Sequence, residues 1–159
     1  MNTSVFFDYP TLETDNAASG LAFLAEWSHA QWSKFFDRCQ TLRYGHGDVL
    51  MAQNAAESAF FLVSFGQFEV LAPYTRGQRP RRINLIATGS VIGEQTFLDG
   101  QPNATEVRAV GEAEALRFSR EAFDVLAARE PEMARAILFD LGRLLSLRLR
   151  AMTAQIYRA

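Results

Sequence analysis

The chain has 159 residues, 48% of them hydrophobic, and its formal net charge at pH 7 is −2. That length suits one domain with its own hydrophobic core, and the charge gives no general attraction to nucleic acid. A single cysteine, Cys39, excludes an internal disulfide and favours a reducing compartment. His29 and His46 stand apart from other residues at metal-ligand spacing, so we predict no metal site.

The N-terminal residues lack the pattern of a targeting or membrane segment. No basic stretch precedes an apolar one, and no apolar run approaches the ~20 residues that a membrane span needs. We therefore expect a cytoplasmic protein without membrane contact. Residues 1–18 are mostly polar but carry a small aromatic group, which predicts an extended arm packed on the body through Val5, Phe6, Phe7 and Tyr9.

Apolar residues at helical spacing predict a helical lead-in over residues 19–39. Ser28 is a suitable N-cap for a second helix that begins at His29. We interpret the large side chains of this region as core residues rather than ligand contacts: Leu21, Leu24, Trp27, Trp32, Phe35 and Phe36.

Short strands separated by turns follow. Residues 47–51 and 59–63 predict two strands around a turn at 54–57. Gly66 then breaks the pattern, and residues 67–71 alternate at period two as a further strand.

The most basic stretch of the chain, residues 73–82, is predicted to be a hairpin loop. Its four arginines are Arg76, Arg79, Arg81 and Arg82. Three interpretations stay open: a solvated loop, a contact with an acidic protein partner, or an arginine that reaches a bound anion. Four arginines alone do not make a nucleic-acid surface, because nucleic-acid binders use a wider basic footprint.

Residues 89–109 have the pattern of an anion-binding cassette. Gly89 and Gly93 bracket a short apolar strand end, and Glu94 begins a brief helical turn. The first amides of a helix lack internal partners and lie at the positive end of its dipole, so they can accept a phosphate.

The C-terminal part predicts strand, turn and strand over residues 107–110, 111–114 and 115–118, followed by two helices. Ser119 caps the first helix, and Pro131 separates it from the second. The second helix is predicted to reach Ala159, and at 1.5 Å per residue it is roughly 40 Å long.

This last helix carries an apolar stripe that one small domain does not easily cover. Its members recur at steps of three and four, so we predict a parallel, coiled-coil-like homodimer. The arginines of residues 143–150 are expected to be solvated at its flank. The predicted interface consists of Leu138, Leu141, Leu145, Met152 and Ile156, and the stripe is widened by Ile137, Leu144 and Leu149.

Two of these segments resemble the cyclic-nucleotide-binding domain family, which includes catabolite activator protein, its Fnr-type relatives, the regulatory subunits of cAMP-dependent protein kinase and cyclic-nucleotide-gated channels. Residues 47–71 follow the family's spacing of glycines and strands, with Asn54 in place of one glycine. Residues 89–109 follow its phosphate-binding cassette. The resemblance implies a mainly β protein with flanking helices: a double-stranded β-helix (jelly-roll) barrel with N-terminal helices and a long C-terminal dimerisation helix.

The resemblance also implies a ligand, cAMP or cGMP, and residues that bind it. The family's ribose-binding glutamate falls on Glu94, its phosphate-binding arginine on Asn103, and the neighbouring hydroxyl on Ala104. The neutral contact of Asn103 and the missing hydroxyl at Ala104 together lower affinity by roughly a hundredfold or more, so we expect nucleotide binding to be weak or lost. Whether Glu94 contacts a ligand or is satisfied by cassette amides stays open. The predicted ligand-binding residues are Gly93, Glu94, Gln95, Thr96, Asn103, Ala104 and Thr105.

These interpretations divide the chain into an arm (residues 1–18), a lead-in with the barrel (19–130) and a dimerisation helix (131–159). The sequence contains no nucleophile with a neighbouring base, no metal cluster and no carboxylate pair that would indicate an enzyme. No helix-turn-helix sequence follows the last helix, so we expect a stand-alone domain without direct DNA binding. The sequence predicts a non-catalytic sensor module that acts as a dimer. The alternative is a degenerate domain that serves as a protein–protein interaction scaffold.

Overall fold

A six-stranded antiparallel sheet forms the middle of the protein, with helices before and after it. The structure, a computed structural model, describes residues 22–158, and the predicted arm at residues 1–18 lies outside the described residues. The strands are β1 (Gln40–Tyr44), β2 (Val49–Met51), β3 (Ala59–Leu71), β4 (Arg82–Ala87), β5 (Val91–Ile92) and β6 (Glu106–Ser119). The helices are α1 (His29–Phe36), α2 (Glu94–Asp99), α3 (Arg120–Arg129) and α4 (Pro131–Arg158).

The long strands β3 and β6 organise the sheet. They pair along their whole lengths, from Ala59 opposite Ser119 to Leu71 opposite Glu106. The strand order is β1-β6-β3-β4, while β2 also pairs with β6 and β5 also pairs with β3. The predicted fold class, mainly β with flanking helices and a long C-terminal helix, is confirmed, although the sheet does not close on itself.

Gly66 and Gly111 lie inside long strands at positions where the sequence pattern predicts that a strand ends. The predicted break at Gly66 lies inside β3, and the predicted turn at residues 111–114 lies inside β6. Gly66 and Gly111 have φ of 74° and 75°, and the register of the β3–β6 pair shifts between Val63 and Gln67. A Cβ on Gly66 would clash with the carbonyl oxygen of Glu112. Because the partner strand continues past each bend, these glycines make bulges instead of ending the strands.

Alternate residues of the sheet enter two separate apolar clusters. Phe60 and Leu62 pack with residues of the helices, whereas Phe61 and Val63 belong to a cluster whose buried residues all lie on strands. In the helical cluster, the rings of Phe35 and Phe118 stack with their centroids 4.7 Å apart. The expected core role of the lead-in is confirmed for Leu24, Trp27, Trp32 and Phe35, whereas Phe36 is half-buried and Leu21 lies outside the described residues. The helical spacing before Ser28 is misleading, because residues 23–26 form a turn and the described helix begins at His29.

Local signals set the helix starts, as predicted. Ser28 and Gln31 form a reciprocal capping box at α1, and the Ser119 hydroxyl accepts a hydrogen bond of 3.0 Å from the amide of Ala122 at α3. α4 begins at Pro131, where the missing amide hydrogen costs nothing. None of the helices within residues 22–158 is both long enough and apolar enough to cross a membrane.

Candidate functional site

The cassette, defined here as residues 93–105, is shaped by two glycines in the left-handed conformation. Gly93 has φ of 83° just before α2, and Gly100 has φ of 70° where α2 ends. A Cβ on Gly93 would lie 3.2 Å from both the Met51 sulfur and the Ala59 carbonyl oxygen. Glycine therefore provides both the backbone conformation and the close approach of the cassette to β2 and β3.

Asn103 is buried and bonded within the chain through all of its polar groups. Its side chain is 3% exposed; Nδ2 donates to the Ala52 carbonyl at 3.0 Å, and Oδ1 accepts from Thr96 Oγ1 at 2.9 Å. Its amide donates to the Ala55 carbonyl at 2.9 Å, and its carbonyl accepts from the Asn54 amide at 2.8 Å. Asn103 thus fastens the cassette to the turn between β2 and β3, where Asn54 has the left-handed φ of 65°.

Glu94 is paired with an arginine from α4. The carboxylate is on a residue only 5% exposed, and it accepts a hydrogen bond from Nη1 of Arg148. Nη2 of the same arginine donates to the Val91 carbonyl at 2.8 Å. The partner of Glu94 in this conformation is therefore a side chain of the C-terminal helix, and a ligand contact by Glu94 stays a prediction.

Arg148 is a residue that the sequence interpretation missed. It was expected at the solvated flank of α4, but it lies half-buried against the cassette. A signal was available, because Arg148 follows the buried Leu141 and Leu144 by a further step of four and so lies on the inward side of the helix. A charge at such a position needs a buried partner, and Glu94 is that partner.

The other residues of the predicted ligand-binding set lie in different environments. Thr96 is buried and bonded to Asn103, whereas Gln95 and Ala104 are exposed and Thr105 is half-buried. The structure therefore brings Thr96 and Asn103 together but turns Glu94 toward α4. Ligand contacts by this set remain predictions.

Burial shifts the pKa values of two side chains outside the cassette, Cys39 and Tyr44. Burial raises the pKa of the Cys39 thiol far above its ordinary value, so the thiol stays protonated and is a poor nucleophile. Burial also raises the pKa of Tyr44, and the Glu57 carboxylate adds to that shift. Across residues 22–158, no three His, Cys, Asp or Glu side chains are grouped so as to hold a metal ion.

The comparison with known families decides the assignment of the fold. Residues 41–130, more than half of the chain, match the family described as "Cyclic nucleotide-binding domain". The chain belongs to this family.

Curated relatives of this cyclic nucleotide-binding domain are regulatory or receptor proteins. It is 30% identical over 107 residues to the cyclic AMP receptor protein of Thermus thermophilus, across 67% of this chain and 47% of that protein. It is 24% identical over 90 residues to the cAMP-dependent protein kinase regulatory subunit of Blastocladiella emersonii, across 57% of this chain and 22% of that protein. The chain thus spans less than half the length of each.

A solved structure supports the same fold. A cyclic nucleotide-binding domain from Methylobacillus flagellatus superimposes with a TM-score of 0.75 at 21% identity, covering 83% of this chain and 74% of that one. At that identity the likeness concerns the fold.

The four arginines of the hairpin between β3 and β4 differ in whether they form an ion pair. Arg82 donates to the Glu69 carboxylate at 2.8 Å across the β3–β4 pair. Arg76, Arg79 and Arg81 are exposed and form no ion pair with any residue of the described chain. An interaction with an outside partner, if the hairpin makes one, therefore depends on these three.

The predicted interface residues of α4 are mostly exposed, with one correction. Leu138, Met152 and Ile156 are 43%, 61% and 72% exposed, and Leu145 is half-buried. Leu141, in contrast, is completely buried in the core of its own chain, as are Ile137 and Leu144 of the widened stripe, so these three are not available to a second copy. An exposed stripe remains, with steps of four and three: Leu138, Gly142, Leu145, Leu149, Met152 and Ile156.

Proposed function

We propose that this protein is a non-catalytic regulatory module of the cyclic nucleotide-binding domain family, which acts as a dimer and binds cyclic nucleotides weakly or not at all. Family membership and the names of the curated relatives support the regulatory role. The proposal of weak or absent nucleotide binding rests on one observation. Asn103 stands where the family pattern has an arginine, and its side chain is already hydrogen-bonded inside the chain.

A phosphate contact by Asn103 would first require its present bonds to break. Freeing the side chain leaves the Ala52 carbonyl and the Thr96 hydroxyl without their partner, and each buried group left unsatisfied costs about 1–3 kcal/mol. A neutral hydrogen bond to phosphate returns only about 1 kcal/mol, compared with about 1.5–3 kcal/mol for a charged one. Ala104, next in the chain, has no hydroxyl to add. The balance therefore disfavours the ligand.

Any ligand that reaches Glu94 acts on α4. The Arg148 guanidinium already occupies one oxygen of that carboxylate and also holds the Val91 carbonyl. A ligand hydroxyl bonded to Glu94 competes with Arg148 and weakens the tie between cassette and helix. This pair is the route by which an occupied cassette would change the position of the C-terminal helix.

The dimer rests on the exposed stripe of α4. Steps of four and three are the pattern of a parallel coiled-coil seam, in which each helix covers the other. Residues 149–158 are all exposed in the single chain, so nothing in residues 22–158 covers this end of the helix. An open apolar groove of about 630 Å³ continues the stripe toward Pro131, and Phe123, Ala134 and Leu138 line it. A second copy of the helix would bury both.

Isothermal titration with cAMP and with cGMP tests the ligand half of the proposal. We expect no binding, or a dissociation constant well above 10 μM, for the wild type. Binding tighter than about 10 μM, roughly −7 kcal/mol, would contradict the proposal. The Asn103→Arg variant serves as the comparison. A gain of nucleotide binding in this variant would assign the weak binding of the wild type to Asn103, and no gain would assign it to other residues of the pocket. Sedimentation equilibrium tests the dimer, and a monomer at ~100 μM contradicts it.

The alternative function is an interaction scaffold that has kept the fold without a ligand. The three unpaired arginines of the hairpin favour this candidate. Titration distinguishes the two, because a scaffold shows no nucleotide binding under any condition, whereas a weak sensor shows saturable binding at millimolar nucleotide.

A further inference from the structure

The tip of the hairpin between β3 and β4 has a fixed shape. The amide of Gln78 donates to the Thr75 carbonyl at 3.1 Å, and the amide of Thr75 donates back to Gln78 Oε1 at 3.1 Å. Gly77 takes φ of 91°, the left-handed conformation that the third position of a type II turn requires. This double closure limits the conformations of the backbone that carries Arg76 and Arg79.

The base of the hairpin is also anchored to the sheet. Tyr74 donates its amide to Gln53 Oε1 at 3.3 Å and its hydroxyl to the Glu106 carboxylate at 3.0 Å. Arg108 donates to the Tyr74 hydroxyl at 3.1 Å, and the amide of Ala72 extends the ladder by a 2.8 Å bond to the Arg81 carbonyl. The tip is therefore presented on a rigid support, which lowers the ordering cost of binding a partner.

Arginines without an ion-pair partner are concentrated at this hairpin, whereas the others among the described residues, Arg38, Arg129, Arg150 and Arg158, are separated along the chain. Within residues 22–158, ion pairs neutralise eight arginines: Arg43, Arg82, Arg108, Arg117, Arg120, Arg135, Arg143 and Arg148. Arg76, Arg79 and Arg81 have no such partner in that part of the chain and are all exposed. Three unneutralised cations thus lie within six residues of a chain whose formal net charge is −2.

We propose that this hairpin, residues 74–82, is a docking surface for an acidic segment of a partner protein. A guanidinium binds a carboxylate through two parallel hydrogen bonds, so three arginines on one anchored hairpin can recognise a short carboxylate cluster. Nucleic acid fits less well, because duplex binders spread their cations over a wider surface and the rest of this chain is not basic. The proposal goes beyond the ligand question and does not depend on nucleotide binding.

The test is fluorescence anisotropy with a labelled hexaglutamate peptide at ~50 mM salt, where charged contacts are weakly screened. The combined Arg76→Ala, Arg79→Ala and Arg81→Ala variant is compared with a control that removes the same charge elsewhere, Arg129→Ala, Arg150→Ala and Arg158→Ala. We expect the hairpin variant to bind at least tenfold more weakly than the wild type, and the control to change affinity less than twofold.

Three outcomes would overturn the proposal. The first is no hexaglutamate binding by the wild type. The second is an equal loss in both variants, since that would reflect net charge alone. The third is tighter binding of a labelled hexathymidylate strand than of the peptide, which would assign the surface to single-stranded nucleic acid. Thermal unfolding of both variants is measured in parallel; we expect no change, because the hairpin arginines pair with no described residue.

Discussion

The cassette and the C-terminal end of α4 differ in whether their side chains are available to bind another molecule. In the cassette, the polar residues Glu94, Thr96 and Asn103 are buried and bonded: Glu94 to Arg148, Asn103 to Ala52, and Thr96 to Asn103. At the end of α4, Leu149 and Ile156 are 65% and 72% exposed and have no cover within the described residues. Buried polar groups that are already bonded have little left for a ligand, whereas an exposed apolar stripe marks a surface for another protein. The comparison supports the proposal that the exposed stripe of α4, rather than the cassette, is the recognition surface of this chain.

The largest expected effect comes from charging the exposed stripe. The combined Leu149→Glu and Met152→Glu variant places two carboxylates per chain against their copies in the seam, and such like-charge contacts cost several kcal/mol. We expect the dimer dissociation constant to rise by about a thousandfold or more, about 4 kcal/mol, in sedimentation equilibrium.

The matched control places the same charges on the opposite side of the same helix, through Ala151→Glu and Ala154→Glu. This control is expected to remain dimeric, because both alanines lie off the stripe. If both variants dissociate equally, the exposed stripe is not the dimer interface, and the proposed role of α4 in recognition is contradicted.

Removing the arginine that connects the two regions is expected to have the next largest effect. Arg148→Ala leaves the Glu94 carboxylate buried without its charged partner, a loss that costs about 3 kcal/mol of unfolding free energy. The double variant Arg148→Met with Glu94→Gln should recover more than half of that loss in urea denaturation, since no buried charge remains.

A surface pair provides the control for this prediction. Arg120 and Asp124 are exposed partners on α3, and Arg120→Ala should cost less than about 1 kcal/mol. Equal costs for Arg148→Ala and Arg120→Ala would show that the link between cassette and α4 adds nothing to stability.

A smaller effect is expected at Asn103. Asn103→Ala removes the bonds to Ala52 and Thr96, which leaves two buried groups unsatisfied and lowers the unfolding free energy by about 2 kcal/mol. Asn84→Ala is the control, because the exposed Asn84 side chain accepts a local bond from the Leu85 amide and bonds to no distant part of the described chain. A difference below about 0.5 kcal/mol between the two variants would contradict the role of Asn103 as a fastening point.

Local features of the fold were predictable from sequence, because they depend on neighbouring residues. Ser28 and Ser119 cap helices as predicted, and Gly93 and Gly100 bound the short helix of the cassette. Asn54 takes the left-handed conformation that its place in the turn requires.

The partners of the cassette were not predictable from local pattern. Arg148 lies 54 residues from Glu94, and Asn103 lies 51 residues from Ala52, so only the packed chain brings them together. The same limit explains Gly66, since whether a glycine bends or ends a strand depends on a partner strand elsewhere in the chain. Leu141 was placed on the wrong side of α4 because two apolar rows share that helix, and spacing alone does not say which row faces the core.

The most direct test is amide hydrogen exchange of the nucleotide-free protein at Asn54 and Asn103, whose amides bond to the Asn103 and Ala55 carbonyls. If the chain itself holds the cassette, both amides are protected without ligand, and 1 mM cAMP leaves their exchange rates unchanged. Fast exchange at both positions that slows when cAMP is added would contradict the account, because a ligand would then be what closes the cassette.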